Sequence, residues 1–206
     1  KNLMATIDSR KDSNTESFAT LFEESMALKE MRQGEVITAE VISIESDFVI
    51  VNAGLKSDFV WIKNRSSTYE HLLFDTVRGS TKYIKSNSVA LQQTNASTLS
   101  SFNSNGFTLG GDNEVNKSSE TYVAWTWRAG GAPTATNDNT SGAMDSNSVS
   151  LDGVLQSAYT PSGSPTLYPK KMSIGTRQGF SIMEYEGPGS AKTLPHGLNS
   201  APEFIL

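Results

Sequence analysis

The chain has 206 residues, a formal net charge of −5, 36% hydrophobic residues, no cysteine and two histidines. Its length allows one sizeable domain, or one domain and a small module, with a buried core. The lack of cysteine excludes disulfides and thiolate sites, two histidines argue against a histidine metal cluster, and no apolar run approaches the roughly 20 residues that span a bilayer.

The N-terminal quarter predicts an arm, a helix and a β-hairpin. Residues 1–15 are polar and lack periodicity, so we expect a disordered arm there. Apolar residues recur at helical spacing over residues 17–31, and Gly34 stands where a helix C-cap would be. Residues 35–45 then alternate between apolar and polar side chains, and residues 48–51 form a second strand-like run after a short turn. This arrangement is typical of a β-hairpin. The apolar residues of the helix include Phe18, Leu21, Phe22 and Met26.

Three segments of this region carry a family resemblance. Residues 16–25, 34–41 and 51–57 are similar, in sequence and spacing, to the start of bacterial ribosomal protein S-one, a protein of repeated OB-type modules. In that family the first module and its leading helix are associated with docking on the ribosome, and later modules bind mRNA. The resemblance implies a partial OB module over residues 16–57, which stops after its second strand. It also implies that the helix docks on a ribosomal partner.

The charge of this region bears on its partner. Residues 1–57 contain six basic and ten acidic side chains. Nucleic-acid binders neutralise phosphates with a basic patch, and this region offers none that is obvious. An acidic helix and hairpin therefore favour docking on protein and argue against direct nucleic-acid binding.

A strand-like run at residues 58–65 forms the seam between two unlike halves of the sequence. The sequence GLKSDFV at residues 54–60 recurs in order as GLNSAPEFI at residues 197–205. The first copy opens a domain, and the second begins a truncated repeat. Because a lead-in such as residues 179–200 is absent before the first copy, we interpret the chain as chimeric.

Short alternating runs separated by turns follow the seam, which is the pattern of a β-sandwich. Residues 121–128 alternate so that Val123, Trp125 and Trp127 share one face of a strand. This pattern favours tryptophans in the sandwich core over an exposed stacking platform for sugars or bases. The other runs are residues 71–77, 81–85, 100–102 and 107–109, with a turn at residues 103–106 between the last two.

The second half of the chain divides by composition. Residues 131–147 are rich in Gly, Ala, Thr, Asn and Ser, which predicts a flexible linker or long loop. We expect the sandwich domain over residues 58–130, and further strands with the truncated repeat over residues 148–206. The clearest late strand is residues 179–185.

Residues 59–65, 73–79, 101–109 and 122–131 carry a second family resemblance. Through these segments the sequence after the seam resembles a β-sandwich domain that recurs in tandem in uncharacterised structural proteins of marine bacteriophages. The resemblance implies a jelly-roll or lectin-like sandwich on a virion or tail fibre, and it supplies no catalytic residue.

No arrangement of side chains indicates catalysis or a cofactor. A GxSxG elbow is absent, and Asp75, Glu184 and Glu186 are acidic residues on or beside strands without a catalytic spacing. Asp75 with Arg78 predicts instead a carboxylate and guanidinium that close a tight turn. Calcium is conceivable at residues 112–114 and 137–139, but turn chemistry alone explains Asp and Asn there, so we predict no metal site.

These observations predict a mainly β protein with an N-terminal helix and hairpin. The predicted function is a non-enzymatic structural or receptor-binding domain of a phage virion, with a surface glycan or virion subunit as partner and no cofactor. The alternative is a fragment of the ribosomal protein that acts in ribosome docking or mRNA binding. Since no secretory signal precedes it, we expect the chain in the virion or host cytoplasm. Candidate ligand-binding aromatics are Trp61, Tyr69, Tyr83 and Tyr122.

Overall fold

The computed structural model describes the backbone of residues 40–44 and 49–52 and the whole of residues 56–206. The first two strands, β1 (Glu40–Ile44) and β2 (Val49–Asn52), pair antiparallel with Val41 opposite Val51. This pairing confirms the predicted hairpin. The predicted arm and the helix that bears Phe18, Leu21, Phe22 and Met26 lie outside the described residues.

An antiparallel sheet of five strands follows, in the order β6-β5-β4-β3-β9. Strand β3 is central and begins at the predicted seam. Its alternating side chains send Val60 and Ile62 to one face and Phe59 and Trp61 to the other. The strands are β3 (Phe59–Asn64), β4 (Leu72–Asp75), β5 (Lys82–Lys85), β6 (Gln93–Thr94) and β9 (Tyr122–Trp127).

One face of this sheet is covered by a hairpin and a short helix. The hairpin consists of β7 (Leu99–Asn103) and β8 (Gly106–Leu109), and the helix, α1, is a single turn at Asn113–Asn116. Burying each large apolar side chain here stabilises the fold by about 1.5–3 kcal/mol. The first core cluster consists of Val60, Ile62, Leu72, Phe74, Tyr83, Leu99 and Val115.

A second sheet of four strands has the order β11-β10-β12-β13. Its central strands β10 and β12 are parallel, which the long connection between them permits. The second core cluster consists of Met144 and three residues of the central strands, Val149, Met172 and Ile174. The strands are β10 (Val149–Leu151), β11 (Val154–Leu155), β12 (Lys171–Gly175) and β13 (Phe180–Glu184).

A buried junction connects β3 with the chain that leaves β9. The carboxylate of Asp58 accepts hydrogen bonds from the backbone N–H groups of Ala129 and Gly131, at 2.9 and 3.2 Å. Gly130 lies against the second sheet, where its N–H donates to Ser173 Oγ at 3.0 Å. Its carbonyl accepts from Ser150 Oγ at 2.5 Å. These contacts fix the path of the chain from the first sheet to the second.

The segment predicted as a linker or long loop contains one isolated β-bridge, from Met144 to Tyr159, and no strand. Asn137 is buried within it, and its Nδ2 donates to the carbonyl oxygens of Pro169 and Asn139, both at 2.9 Å. The side chain of Asn137 thus connects this loop to the residue two positions before β12. The domain bounds drawn from the sequence stay a prediction.

The described residues confirm the predicted fold class, a mainly β chain with open sheets of the sandwich type. The prediction that Trp125 and Trp127 build the core is wrong, because both side chains are exposed. Their strand β9 lies at the sheet edge, and they point to the face opposite the first core cluster. Among the described residues, no helix has the length and apolar character needed to cross a membrane.

Candidate functional site

The face of the five-stranded sheet opposite the β7–β8 hairpin bears a row of aromatic rings, which we call the aromatic face. Register places Phe59 opposite Trp127 and Trp61 opposite Trp125, so the four rings lie side by side on β3 and β9. Phe180 of β13 joins the row from the second sheet, with its ring centroid 6.2 Å from that of Trp127. The aromatic face therefore comprises Phe59, Trp61, Trp125, Trp127 and Phe180.

Neighbouring side chains hold these rings in place. Trp61 donates its Nε1 hydrogen to Nδ1 of His71 at 2.8 Å. The ring of Trp61 also meets the Trp125 ring edge to face, with centroids 5.7 Å apart. Phe59 is buried and makes similar edge contacts with Trp127 and Phe180, at 5.4 and 5.9 Å. The rings are thus fixed before any ligand binds.

The outer tryptophans leave a large part of their surface in water. Trp125 is 44% exposed and Trp127 is 40% exposed, although both belong to a regular strand. Single exposed apolar residues are ordinary, but adjacent exposed aromatic rings on a rigid sheet indicate an interaction surface. The aromatic face is the strongest candidate site in the described part of the chain.

The four aromatics proposed from the sequence have different positions. Trp61 is half-buried and belongs to the aromatic face. Tyr83 is buried in the first core cluster and its hydroxyl donates to Gln93 Oε1 at 2.8 Å, so its ring is not accessible to a ligand as the candidate role requires. Tyr122 packs partly on the same cluster and its hydroxyl donates to the Asn113 carbonyl at 2.8 Å. Tyr69 is half-buried, with Lys117 Nζ 5.8 Å from its ring centroid.

Sequence reasoning did not select Trp125 and Trp127 as ligand-binding residues. The alternation of β9 showed that they share a face, but the orientation of that face depends on strand order, which is not local information. The absence of charge in the sequence YVAWTW was the available signal, because it also fits an interface strand.

A polar cluster lies where β9 begins. The Glu120 carboxylate accepts hydrogen bonds from Lys117 Nζ and Ser67 Oγ, both at 2.6 Å, and from Asn64 Nδ2. These hydrogen bonds lower the pKa of Glu120 to about 2, and the bond from Lys117 is the largest cause, followed by those from Ser67 and Asn64. Glu120 is therefore ionised near neutral pH, and its bonds connect β3 to the loop before β9.

A second ion cluster lies beside Tyr83. Burial lowers the pKa of Lys85, but its ammonium bonds Glu114 at 2.7 Å and Glu70 at 2.5 Å, and these contacts raise the pKa above its ordinary value overall. Burial, with Glu114 as the next cause, raises the pKa of Tyr83. Tyr83 and Lys85 thus remain protonated near neutral pH and act as hydrogen-bond donors within the fold.

Three of the acidic groups considered for catalysis or calcium, those of Asp75, Asp112 and Glu184, have structural partners. Arg78 donates its backbone N–H and Nε to the Asp75 carboxylate at 2.7 and 2.5 Å, which confirms the predicted turn closure. Asp112 caps α1 by accepting from Glu114 N at 2.8 Å, and Lys171 lies 3.8 Å from Glu184. No group of three or more His, Cys, Asp or Glu among the described residues is placed to hold a metal ion.

A shallow groove of about 330 Å³ lies at the C-terminal end of the described chain. His196 lines it, and the His196 Nδ1 already accepts from the Leu198 N–H at 3.0 Å. The groove has no cluster of charged side chains, so we give it no chemical role. Its other walls include Ser162, Pro165, Thr193 and Asn199.

Comparison with curated proteins finds similarity over a short N-terminal region. The small ribosomal subunit protein bS1 of Neisseria meningitidis is 65% identical over 43 residues, which are 21% of this chain and 8% of that protein. The bS1 of Pseudomonas aeruginosa is 52% identical over 46 residues, 22% of this chain and 8% of that protein. The bS1 of Coxiella burnetii is 48% identical over 44 residues, again 8% of that protein. The chain thus spans about 8% of the length of these relatives.

No solved structure matches this chain. A family described as Domain of unknown function (DUF7483) matches residues 43–163, a range that contains β3 to β11 and four of the five rings of the aromatic face. Because this match covers more than half of the sequence, the chain belongs to the family Domain of unknown function (DUF7483).

Proposed function

We propose that this chain is a non-enzymatic recognition domain of a phage virion or tail protein, and that its aromatic face binds a surface glycan. The observation that carries the proposal is the pair of exposed tryptophans, Trp125 and Trp127, on a rigid strand. The virion setting is supported by the sequence resemblance of residues 58–206 to phage structural domains. A neighbouring virion subunit is the alternative occupant of the same face.

The chemistry of sugars fits such a surface. A pyranose ring presents apolar C–H groups on its faces and hydroxyls at its edge, so it packs on an aromatic ring while its hydroxyls remain in water. Trp125 and Trp127 are two residues apart on one strand, which spaces their backbones by about 7 Å. Because Phe59 and His71 already hold the row, little side-chain entropy would be lost on binding. The face therefore suits a chain of sugars.

The non-enzymatic part of the proposal rests on the carboxylates. Asp75 is bonded to Arg78, and Glu120 is bonded to Lys117, Ser67 and Asn64. Glycoside cleavage needs an acid and a second carboxylate that flank the scissile bond. Neither Asp75 nor Glu120 is free for this role.

Intrinsic fluorescence can test glycan binding directly. The sequence has three tryptophans, Trp61, Trp125 and Trp127, and all three lie on the aromatic face. Titration with cello-, chito- and manno-oligosaccharides should change the tryptophan emission with saturation for at least one series. The Trp125→Ala/Trp127→Ala variant should lose this binding by at least about tenfold, measured by calorimetry.

The control for this titration is Val154→Ala, a truncation of an exposed apolar residue on β11. It should bind the same oligosaccharide as tightly as the unmodified chain. Saturable binding that survives loss of both tryptophans would refute the assignment to this face. Binding of isolated virion proteins, with no response to any sugar series, would favour the subunit as partner.

We also propose a second candidate function, docking of the N-terminal region on a small ribosomal subunit. It is favoured by the 48–65% identity of that region to bS1 proteins. The full chain should co-sediment with purified small subunits, and the triple variant Phe18→Ala/Leu21→Ala/Phe22→Ala should not. Because residues 1–57 are acidic, co-sedimentation should persist at 300 mM salt, whereas RNA-driven binding would fall by at least about tenfold.

A further inference from the structure

Strand β9 lies at one edge of the five-stranded sheet. It is the last strand in the order β6-β5-β4-β3-β9, and within the described part of the chain no strand pairs with its outer side. Sheet edges are usually protected by Lys, Pro or a bulge, yet β9 reads YVAWTW and has neither a charged residue nor a proline. This edge is therefore suited to backbone pairing with another strand.

The hydrogen-bond pattern identifies the free backbone groups. The N–H of Arg65 donates to the carbonyl of Thr121 at 2.8 Å. Alternation along an antiparallel pair then directs the backbone of Trp125 toward β3 and the backbone groups of Ala124 and Thr126 to the outer edge. An incoming strand would bond Ala124 and Thr126.

The segment at residues 203–206 is exposed and contains three large apolar side chains in succession. Phe204, Ile205 and Leu206 are 74%, 83% and 66% exposed. Residues 203–205 end the second copy of the seam sequence at residues 197–205, so Glu203, Phe204 and Ile205 correspond to residues 58–60 at the start of β3. In β3, Phe59 and Val60 pair with Trp127 and Thr126 of β9. The segment thus repeats the sequence that β9 already accepts on its other side.

We propose that residues 203–206 of one copy of this chain pair antiparallel with the outer edge of β9 in a second copy. The register follows β3, with Phe204 opposite Trp127, Ile205 opposite Thr126 and Leu206 opposite Trp125. Ile205 then exchanges backbone hydrogen bonds with Thr126. Phe204 and Leu206 extend the aromatic face sideways without covering it, so this pairing is independent of glycan binding.

Disulfide trapping tests the register, because the chain has no cysteine of its own. One copy carries Ile205→Cys and a second, with a different tag, carries Thr126→Cys. A hydrogen-bonded antiparallel pair has Cα atoms about 5.5 Å apart, within the range of a disulfide. Under mild oxidation the mixed dimer should form, and mass spectrometry should find the peptide that links positions 205 and 126.

The matched control places the second cysteine at Thr94 of β6, the other edge strand of the same sheet, whose side chain is also exposed. The Ile205→Cys and Thr126→Cys mixture should yield at least about ten times more mixed dimer than the Ile205→Cys and Thr94→Cys mixture. Equal yields would overturn the proposal, because they would show random collision of an exposed segment.

Self-association in solution provides a second measurement without cysteine. Phe204→Ser/Ile205→Ser should weaken the dimer by at least about tenfold in sedimentation equilibrium. Val89→Ser/Leu91→Ser removes two comparably exposed apolar side chains from the connection between β5 and β6 and should leave the dimer unchanged. Absence of any dimer at millimolar concentration, or an equal effect of both variants, would refute pairing through residues 203–206.

Discussion

Glu120 is a residue whose ionisation supports the fold. Contacts with Lys117, Ser67 and Asn64 lower its pKa to about 2, below the ordinary value of 4.5. A lowered folded-state pKa contributes stability that is present above about pH 4.5 and is lost as pH falls toward 2. We predict that Glu120→Gln lowers the free energy of unfolding at pH 6 and that this deficit shrinks at pH 3. Urea unfolding at both pH values measures it, and a deficit independent of pH would contradict the assignment.

Gly130 is a residue for which any side chain is too large. A Cβ atom there would lie 2.3 Å from the carbonyl oxygens of Ser150 and Ile174, which belong to the backbones of β10 and β12. We predict that Gly130→Ala destabilises the chain by about 3 kcal/mol, because two strands would have to move. Gly111→Ala is the control, since its Cβ meets no atom within 4 Å, and should change urea unfolding by less than about 0.5 kcal/mol.

At the scale of elements, Asp58 joins the start of β3 to the exit of β9. Its carboxylate accepts from the buried backbone N–H of Ala129, from the partly buried N–H of Gly131, and from Thr76 Oγ1 at 3.1 Å. Asp58→Ala would leave these donors unsatisfied, so we predict a loss of about 3 kcal/mol in urea unfolding. Asp138→Asn is the control, because that exposed carboxylate pairs with Lys170 at the surface and should matter by less than about 0.5 kcal/mol.

Local sequence patterns predicted the strands and turns more accurately than they predicted which side chains are exposed. Alternation and turn residues located β3, β4, β5, β9, β13 and the β7–β8 hairpin, because strand formation and turn chemistry are encoded within a few residues. The Asp75 and Arg78 turn was predictable for the same reason. The exposure of Trp125 and the burial of Tyr83 were not, because each depends on which face of the sheet the β7–β8 hairpin covers.

At the scale of the whole molecule, a junction links the two sheets within the described part of the chain. It includes the buried bonds of Asp58 and Gly130, and the rings of Phe59 and Trp127 against Phe180. Each sheet alone buries a modest number of large side chains, and small cores are marginal. The stability of the second sheet, and hence the position of Phe180 in the aromatic face, should therefore depend on this junction.

This dependence predicts how the molecule unfolds. All three tryptophans report on the first sheet, whereas far-UV circular dichroism reports on both. In the unmodified chain the two signals should share one urea midpoint, as expected for a single cooperative unit. In Asp58→Ala/Phe180→Ala the junction is lost, so the circular dichroism change should begin at lower urea than the tryptophan change. Val154→Ala/Leu155→Ala alters the second sheet away from the junction and should keep the signals together, because the coupling is intact. Two separate transitions in the unmodified chain would show instead that the sheets fold independently and that Phe180 joins the aromatic face without strengthening it.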